Sequence, residues 1–122
     1  MIVTIISFGF KHSAPPTCDF VFDIRSLPDP YFHPELKPLT GKDKAIHDYL
    51  FMHGEAMIRW NEILQTIETA YKNGKTAMTI AIGCIGGRHR SVAFVERLQN
   101  LVLPNITITI QHRDLKTDLL SN

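Results

Sequence analysis

Thr76-Ala77-Met78-Thr79-Ile80-Ala81-Ile82 leads directly into Gly83-Cys84-Ile85-Gly86-Gly87-Arg88-His89-Arg90-Ser91, and that into an amphipathic stretch ending at Val102. The first part is an apolar run and predicts a buried strand. The second holds three glycines, which let the backbone turn tightly. The third places Val92, Val95, Leu98 and Val102 at helical spacing and stops before Pro104, so it predicts a helix over 91–102. A strand, a glycine-rich turn and a helix in succession are one unit of an α/β fold.

The flanking sequence extends the pattern. Ile2 to Phe8 is a β-branched apolar run and predicts a strand buried on both faces. Phe20 to Arg25 predicts a second, and Ile106 to Ile110 a fourth. Between the second and third, Thr40-Gly41-Lys42-Asp43 has the form of a helix start with Thr40 as cap, followed by Ile46, Tyr49 and Leu50 on one face. A longer helix begins near Glu55, keeps Trp60, Ile63, Leu64, Ile67 and Tyr71 in register, and ends at Asn73-Gly74. The expected architecture is a mostly parallel four-stranded sheet with helices on both faces, in one domain over residues 1–122. In such sheets ligands sit beyond the carboxyl ends of the strands. Lys11 and His12, Asp23 and Arg25, the glycine-rich loop, and His112, Arg113 and Asp114 follow the four strands and meet at that rim.

Composition narrows the function classes. With 44% hydrophobic and 20% charged residues among 122, this is an ordinary globular chain. A net charge of +1 gives no global pull toward nucleic acid or membrane, so an anion site has to be local. Cys18 and Cys84 form no CxxC pair, which excludes a disulfide framework and fits a reducing cytoplasm. No stretch is long enough to span a bilayer. His33, His47 and His53 have no ligand spacing, so neither a metal nor another cofactor is expected.

The loop itself carries the chemistry. Ser91 at a helix start, with amides and the positive end of the helix dipole behind it, predicts a phosphate seat. Arg88, His89 and Arg90 add donors suited to phosphate oxygens, and on this reading Arg90→Ala removes binding and leaves stability nearly unchanged. A rival reading starts from Cys84-x5-Arg90 followed by Ser91, the spacing of the protein tyrosine phosphatases, with Asp29-Pro30-Tyr31 resembling the general-acid segment of their low-molecular-weight members. Cys84, Arg90 and Asp29 would then be catalytic. Against it stands a small buried cysteine lining a turn. Asp23 and Arg25 read equally as an ion pair ordering the proline-rich segment or as a pocket rim, and His112 and Arg113 as rim or solvated turn. Tyr31 and Phe32, on the proline-rich segment, are the aromatics expected to be exposed and able to stack on a base or sugar.

Taken together, Ser7-Phe8-Gly9-Phe10-Lys11-His12, Phe22-Asp23-Ile24-Arg25, Leu27-Pro28-Asp29-Pro30-Tyr31, Pro34 to Gly41, Thr79 to Val92 and His112-Arg113-Asp114-Leu115 resemble, in order, the C-terminal domain of the RapZ/YvcJ family of bacterial RNase adapter proteins. The resemblance implies a fold similar to a phosphofructokinase subdomain, binding of an amino-sugar phosphate such as glucosamine 6-phosphate, and small-RNA binding. By position it implies His12, Gly86, His89, Arg90 and Ser91 in the sugar-phosphate pocket; the reading of the loop itself adds Gly87 and Arg88 to the expected ligand-binding set, and the strand-end positions give Lys11, Asp23, Arg25, His112 and Arg113 as a candidate rim. Full-length members carry a Walker-type domain ahead of this one. No G-x-x-x-x-G-K-[ST] is present here, so nucleotide hydrolysis is not expected. Ile85 stands where the family has threonine. The tail from Lys116 to Asn122, with one lysine and one aspartate, lacks the basic character of the RNA-binding member. A sensor or adapter is expected, with a phosphorylated small molecule as ligand, and RNA, a protein partner or a second copy of the chain as candidate partners.

Overall fold

The computed structural model describes residues 1–116; the tail segment 117–122, weighed above for RNA binding, lies outside them. Four strands, β1 (Ile2–Gly9), β2 (Phe20–Asp23), β3 (Ala77–Cys84) and β4 (Thr107–His112), form one sheet in the order β2-β3-β1-β4. Every neighbouring pair is parallel. Three named helices among the described residues, α1 (Lys44–Phe51), α2 (Gly54–Lys72) and α3 (Arg90–Gln99), accompany it, with a 3-10 turn at Pro30–Phe32.

The α/β class and the parallel four-stranded sheet are those the sequence predicts. How its two faces are covered follows from direction. The connections from β2 to β3 and from β3 to β4 both run the same way across the sheet, so right-handed crossovers place all three helices on one face. Their buried residues, among them Ile46, Leu50, Trp60, Ile63, Phe94 and Leu98, join one cluster with Val3, Ile5, Met78, Ile80 and Ile82. The connection from β1 to β2 runs the opposite way, and no helix interrupts it. It covers the second face only near the carboxyl rim, where Phe10 packs on Phe8 with ring centroids 4.7 Å apart. Further down that face Thr4, Ile6 and Thr79 are half-buried and Thr107 and Thr109 exposed.

Several helix boundaries differ from the expected ones. Helix α1 starts at Lys44 with Asp43 at its cap position, and Thr40 is no cap. Its backbone N–H donates to the Asp43 carboxylate at 2.8 Å, within a turn held to the glycine-rich loop by a hydrogen bond from Gly41 N–H to Arg88 O. Helix α3 starts one residue early, so His89 takes the cap position and Ser91 lies inside the first turn. Val102, expected inward, falls past the end of α3 and is 94% exposed. Helix α2 ends as predicted, with Gly74 at a φ of +82°.

Candidate functional site

At the carboxyl rim β1 and β3 run side by side to Gly9 and Cys84, which are register partners. Backbone then meets backbone. Gly9 packs against the Gly86 and Gly87 main chain so closely that no Cβ fits, and Gly87 takes a φ of +73°, the left-handed region. Phe10 N–H and Lys11 N–H continue the contact by donating to the Cys84 and Ile85 carbonyls. His12 closes the edge, donating from Nε2 to Gly86 O at 3.2 Å.

The loop so fixed floors a cleft of about 310 Å³. Of the expected ligand residues, Gly86, Arg88, His89 and Arg90 line it; so do Lys11 from the rim, and Cys84 and Asp29 from the phosphatase reading. Lys37, Tyr31, Phe32 and Ile85 complete the wall. Lys37 was assigned no role from sequence, although it lies in the Pro34 to Gly41 segment. Four cationic side chains, Lys11, Lys37, Arg88 and Arg90, thus line the cleft together with one carboxylate, Asp29. Asp23, Arg25, His112 and Arg113 are not among the lining residues.

The three consecutive residues Arg88, His89 and Arg90 do more than face the cleft. Arg88 donates to the carbonyls of Leu39 and Pro38, at 2.9 and 2.6 Å. His89 Nε2 donates to Lys37 O at 3.1 Å. Arg90 donates to Arg25 O and Leu27 O, both at 2.9 Å, and pairs with Asp29 at 3.2 Å. Together they clamp both ends of the segment from Arg25 to Leu39. Burial holds His89 below the usual histidine value, with the nearby Arg88 charge acting in the same direction and the Lys37 carbonyl opposing, so the imidazole is a neutral spacer at pH 7.

Two loop amides have an internal guest. Gly87 N–H and Ser91 N–H point at Cys84 Sγ, at 3.3 and 3.5 Å, and the Ser91 hydroxyl lies 3.1 Å from the same sulfur. Ser91 is fully buried and sits beneath the cleft, not in its wall. Among the described residues, the N–H groups of Gly86, Arg88 and His89 donate to no protein acceptor.

The other rim residues make structural contacts. Asp23 and Arg25 form an exposed two-point ion pair, which holds the Asp23 carboxyl below its usual range, and the guanidinium lies 3.9 Å over the Phe10 ring. His112 bridges Ser7 Oγ and a Glu96 carboxylate oxygen on α3, each at 2.7 Å. Arg113 donates to the carbonyls of Ser13 and Ala14 and pairs with Asp114, whose carboxylate also accepts Gly9 N–H at 2.8 Å. That residue locks the loop's partner strand; its place directly after His112 and Arg113 was the available signal. Burial works to raise the Asp114 carboxyl, and the Arg113 and Gly9 donors outweigh it, leaving it below its usual range. No helix among the described residues is long and apolar enough to cross a membrane.

A family model described as the RapZ C-terminal domain matches residues 1–116.

Proposed function

The chain belongs to the RapZ C-terminal domain family, and from that premise we propose that it is a sensor or adapter domain which seats a phosphomonoester, an amino-sugar phosphate such as glucosamine 6-phosphate, in the cleft over the glycine-rich loop. One observation carries the reading. Lys11, Lys37, Arg88 and Arg90 line one cleft with Gly86 and His89, and among the described residues the Gly86, Arg88 and His89 N–H groups meet no protein acceptor, in a protein whose net charge is only +1. Phosphate oxygens take the Gly86, Arg88 and His89 N–H groups at the start of α3, where the helix dipole favours an anion. The lysines supply ammonium donors, and the clamped arginines supply a fixed field. Asp29 is the one acid in the wall among the described residues, 19% exposed, and retains acceptor capacity for a sugar ammonium. Because the loop also holds the Arg25–Leu39 segment, occupancy of the cleft is transmitted to that exposed surface, where RNA or a protein partner would read it.

Calorimetric titration with glucosamine 6-phosphate, glucose 6-phosphate and inorganic phosphate tests this. All three bind, the amino sugar tightest, and Lys11→Ala and Lys37→Ala each weaken all three. Silence from every ligand sinks the proposal. The adapter output is tested by gel shift against salt: RNA held through phosphates loses affinity steeply as salt rises.

The Gly87 and Ser91 amides that hold Cys84 Sγ in a residue lining the cleft favour a second reading, a cysteine-dependent phosphatase, because they fix the sulfur where a nucleophile would stand. Its accessory groups point elsewhere. Arg90 is turned to the carbonyls of Arg25 and Leu27, and Asp29 already accepts from Tyr31 N–H and Arg90. Release of p-nitrophenol from p-nitrophenyl phosphate, lost in Cys84→Ser, would establish it, and no turnover by the unaltered protein would end it.

A further inference from the structure

The cleft runs from a charged floor to an apolar mouth. Arg90 and Cys84 are 2% exposed at its base, whereas Ile85, Tyr31 and Phe32 are 49%, 48% and 78% exposed at its lip. Large exposed apolar side chains gathered at one charged cleft call for a ligand that covers them. A phosphate and a single sugar ring satisfy the floor and Asp29, and leave the lip bare.

The lip is also rigid. The turn bearing Tyr31 and Phe32 is capped by Asp29, whose carboxylate accepts Tyr31 N–H at 3.0 Å, and Pro30 is buried beneath it. Arg90 fixes Asp29 in turn. Tyr31 and Phe32 meet edge to face, 5.6 Å between centroids and 89° between planes. Lys37 Nζ lies 4.4 Å from the Tyr31 ring centroid, so the Tyr31 face is occupied. Phe32 is then the ring that the lip offers, an exposed aromatic held by an anchored turn.

We infer that the mouth is a base-stacking subsite, so that the cleft accepts a nucleoside 5′-monophosphate: phosphate on the glycine-rich loop, ribose hydroxyls beside Asp29, and the base on Phe32. This rests on the phosphate reading above and adds to it a ligand class with a planar third part. The same chemistry is presented by a free nucleotide and by the 5′-phosphorylated end of an RNA chain. Stacking on one aromatic ring contributes on the order of 1–3 kcal/mol, which corresponds to about fivefold or more in affinity.

The test uses the full chain and three ligands, adenosine 5′-monophosphate, ribose 5-phosphate and inorganic phosphate, titrated into the unaltered protein, Phe32→Ala and Phe32→Trp. The nucleotide binds about tenfold tighter than ribose 5-phosphate. Phe32→Ala removes that margin and leaves ribose 5-phosphate and the melting temperature unchanged, while Phe32→Trp keeps the margin. Equal affinity for nucleotide and ribose 5-phosphate in the unaltered protein, or a margin that survives Phe32→Ala, overturns the subsite and leaves the phosphate reading standing. Failure of all three ligands to bind removes the phosphate reading and the subsite with it. A 5′-phosphorylated trinucleotide separates the sources: tighter binding than the mononucleotide assigns the subsite to a chain end, and equal or weaker binding assigns it to the free nucleotide.

Discussion

Arg90 and Asp29 form an ion pair of 3.2 Å with side chains 3% and 19% exposed, joining the first turn of α3 to the cap of the 3-10 turn. Arg90 also satisfies the carbonyls of Arg25 and Leu27, so it is a structural strut as well as a cleft cation. The sequence-based expectation that Arg90→Ala leaves stability nearly unchanged does not fit these bonds. Removing one partner of a buried pair strands the other charge and two acceptors, a loss of about 3 kcal/mol. Urea unfolding should show it, with Arg90→Lys losing less. An alanine variant as stable as the parent would refute the strut.

Gly87→Ala tests the close contact under the loop. A non-glycine residue at a φ of +73° costs roughly 1–2 kcal/mol on its own. A Cβ there would also lie 2.7 Å from Gly9 N and 3.0 Å from the Phe8 carbonyl carbon, both main-chain atoms that cannot yield locally. The variant should therefore lose more than 2 kcal/mol of stability. Gly54→Ala, where a Cβ meets nothing within 4 Å, is the matched control and should be neutral or mildly stabilising.

How much of this was legible in sequence follows from what each signal encodes. Apolar periodicity reports burial, and so β1, β3 and α2 emerge with nearly their observed bounds. Residue type alone places Ser91 and Thr40 as caps, but a cap is chosen by where the chain is held. Backbone contacts at Gly41 and Gly87 move both helix starts. The larger gap concerns Arg88, His89 and Arg90, read as arms for a ligand and found to hold carbonyls between Arg25 and Leu39 as well. That segment contains Pro28, Pro30, Pro34 and Pro38, and joins no sheet, so its carbonyls need donors from outside. Nothing local in the sequence identifies those donors.

Asp114 makes stability depend on acid. Its folded carboxyl lies below the usual value, so its contribution is present above the unfolded pKa and is lost as pH falls through the folded one. Stability should decline below about pH 4 more steeply in the parent than in Asp114→Asn, which lacks this proton uptake. The asparagine variant is also weaker at pH 7, because Arg113 and Gly9 N–H lose a charged acceptor. Parallel pH profiles in parent and variant would remove Asp114 from this role.

His89 acts in a higher window. Burial keeps its folded form neutral, whereas the unfolded chain takes up a proton near pH 6.5. Below that value the unfolded state binds more protons than the folded one, so stability falls as pH drops from 7 toward 5. Protonation would also add a second cation beside Arg88 while the Nε2–H remains committed to Lys37 O. Sulfate, whose own charge is constant over this range, would offset that charge in the cleft, so bound sulfate should flatten the decline between pH 7 and 5. Chemical unfolding across this range, with sulfate and with chloride at equal ionic strength, measures both effects. His89→Gln, which keeps a donor for Lys37 O and has no proton to gain, should show a level profile in either condition. If its profile falls as the parent's does, another group carries the pH dependence and His89 is no part of the anion seat's electrostatics.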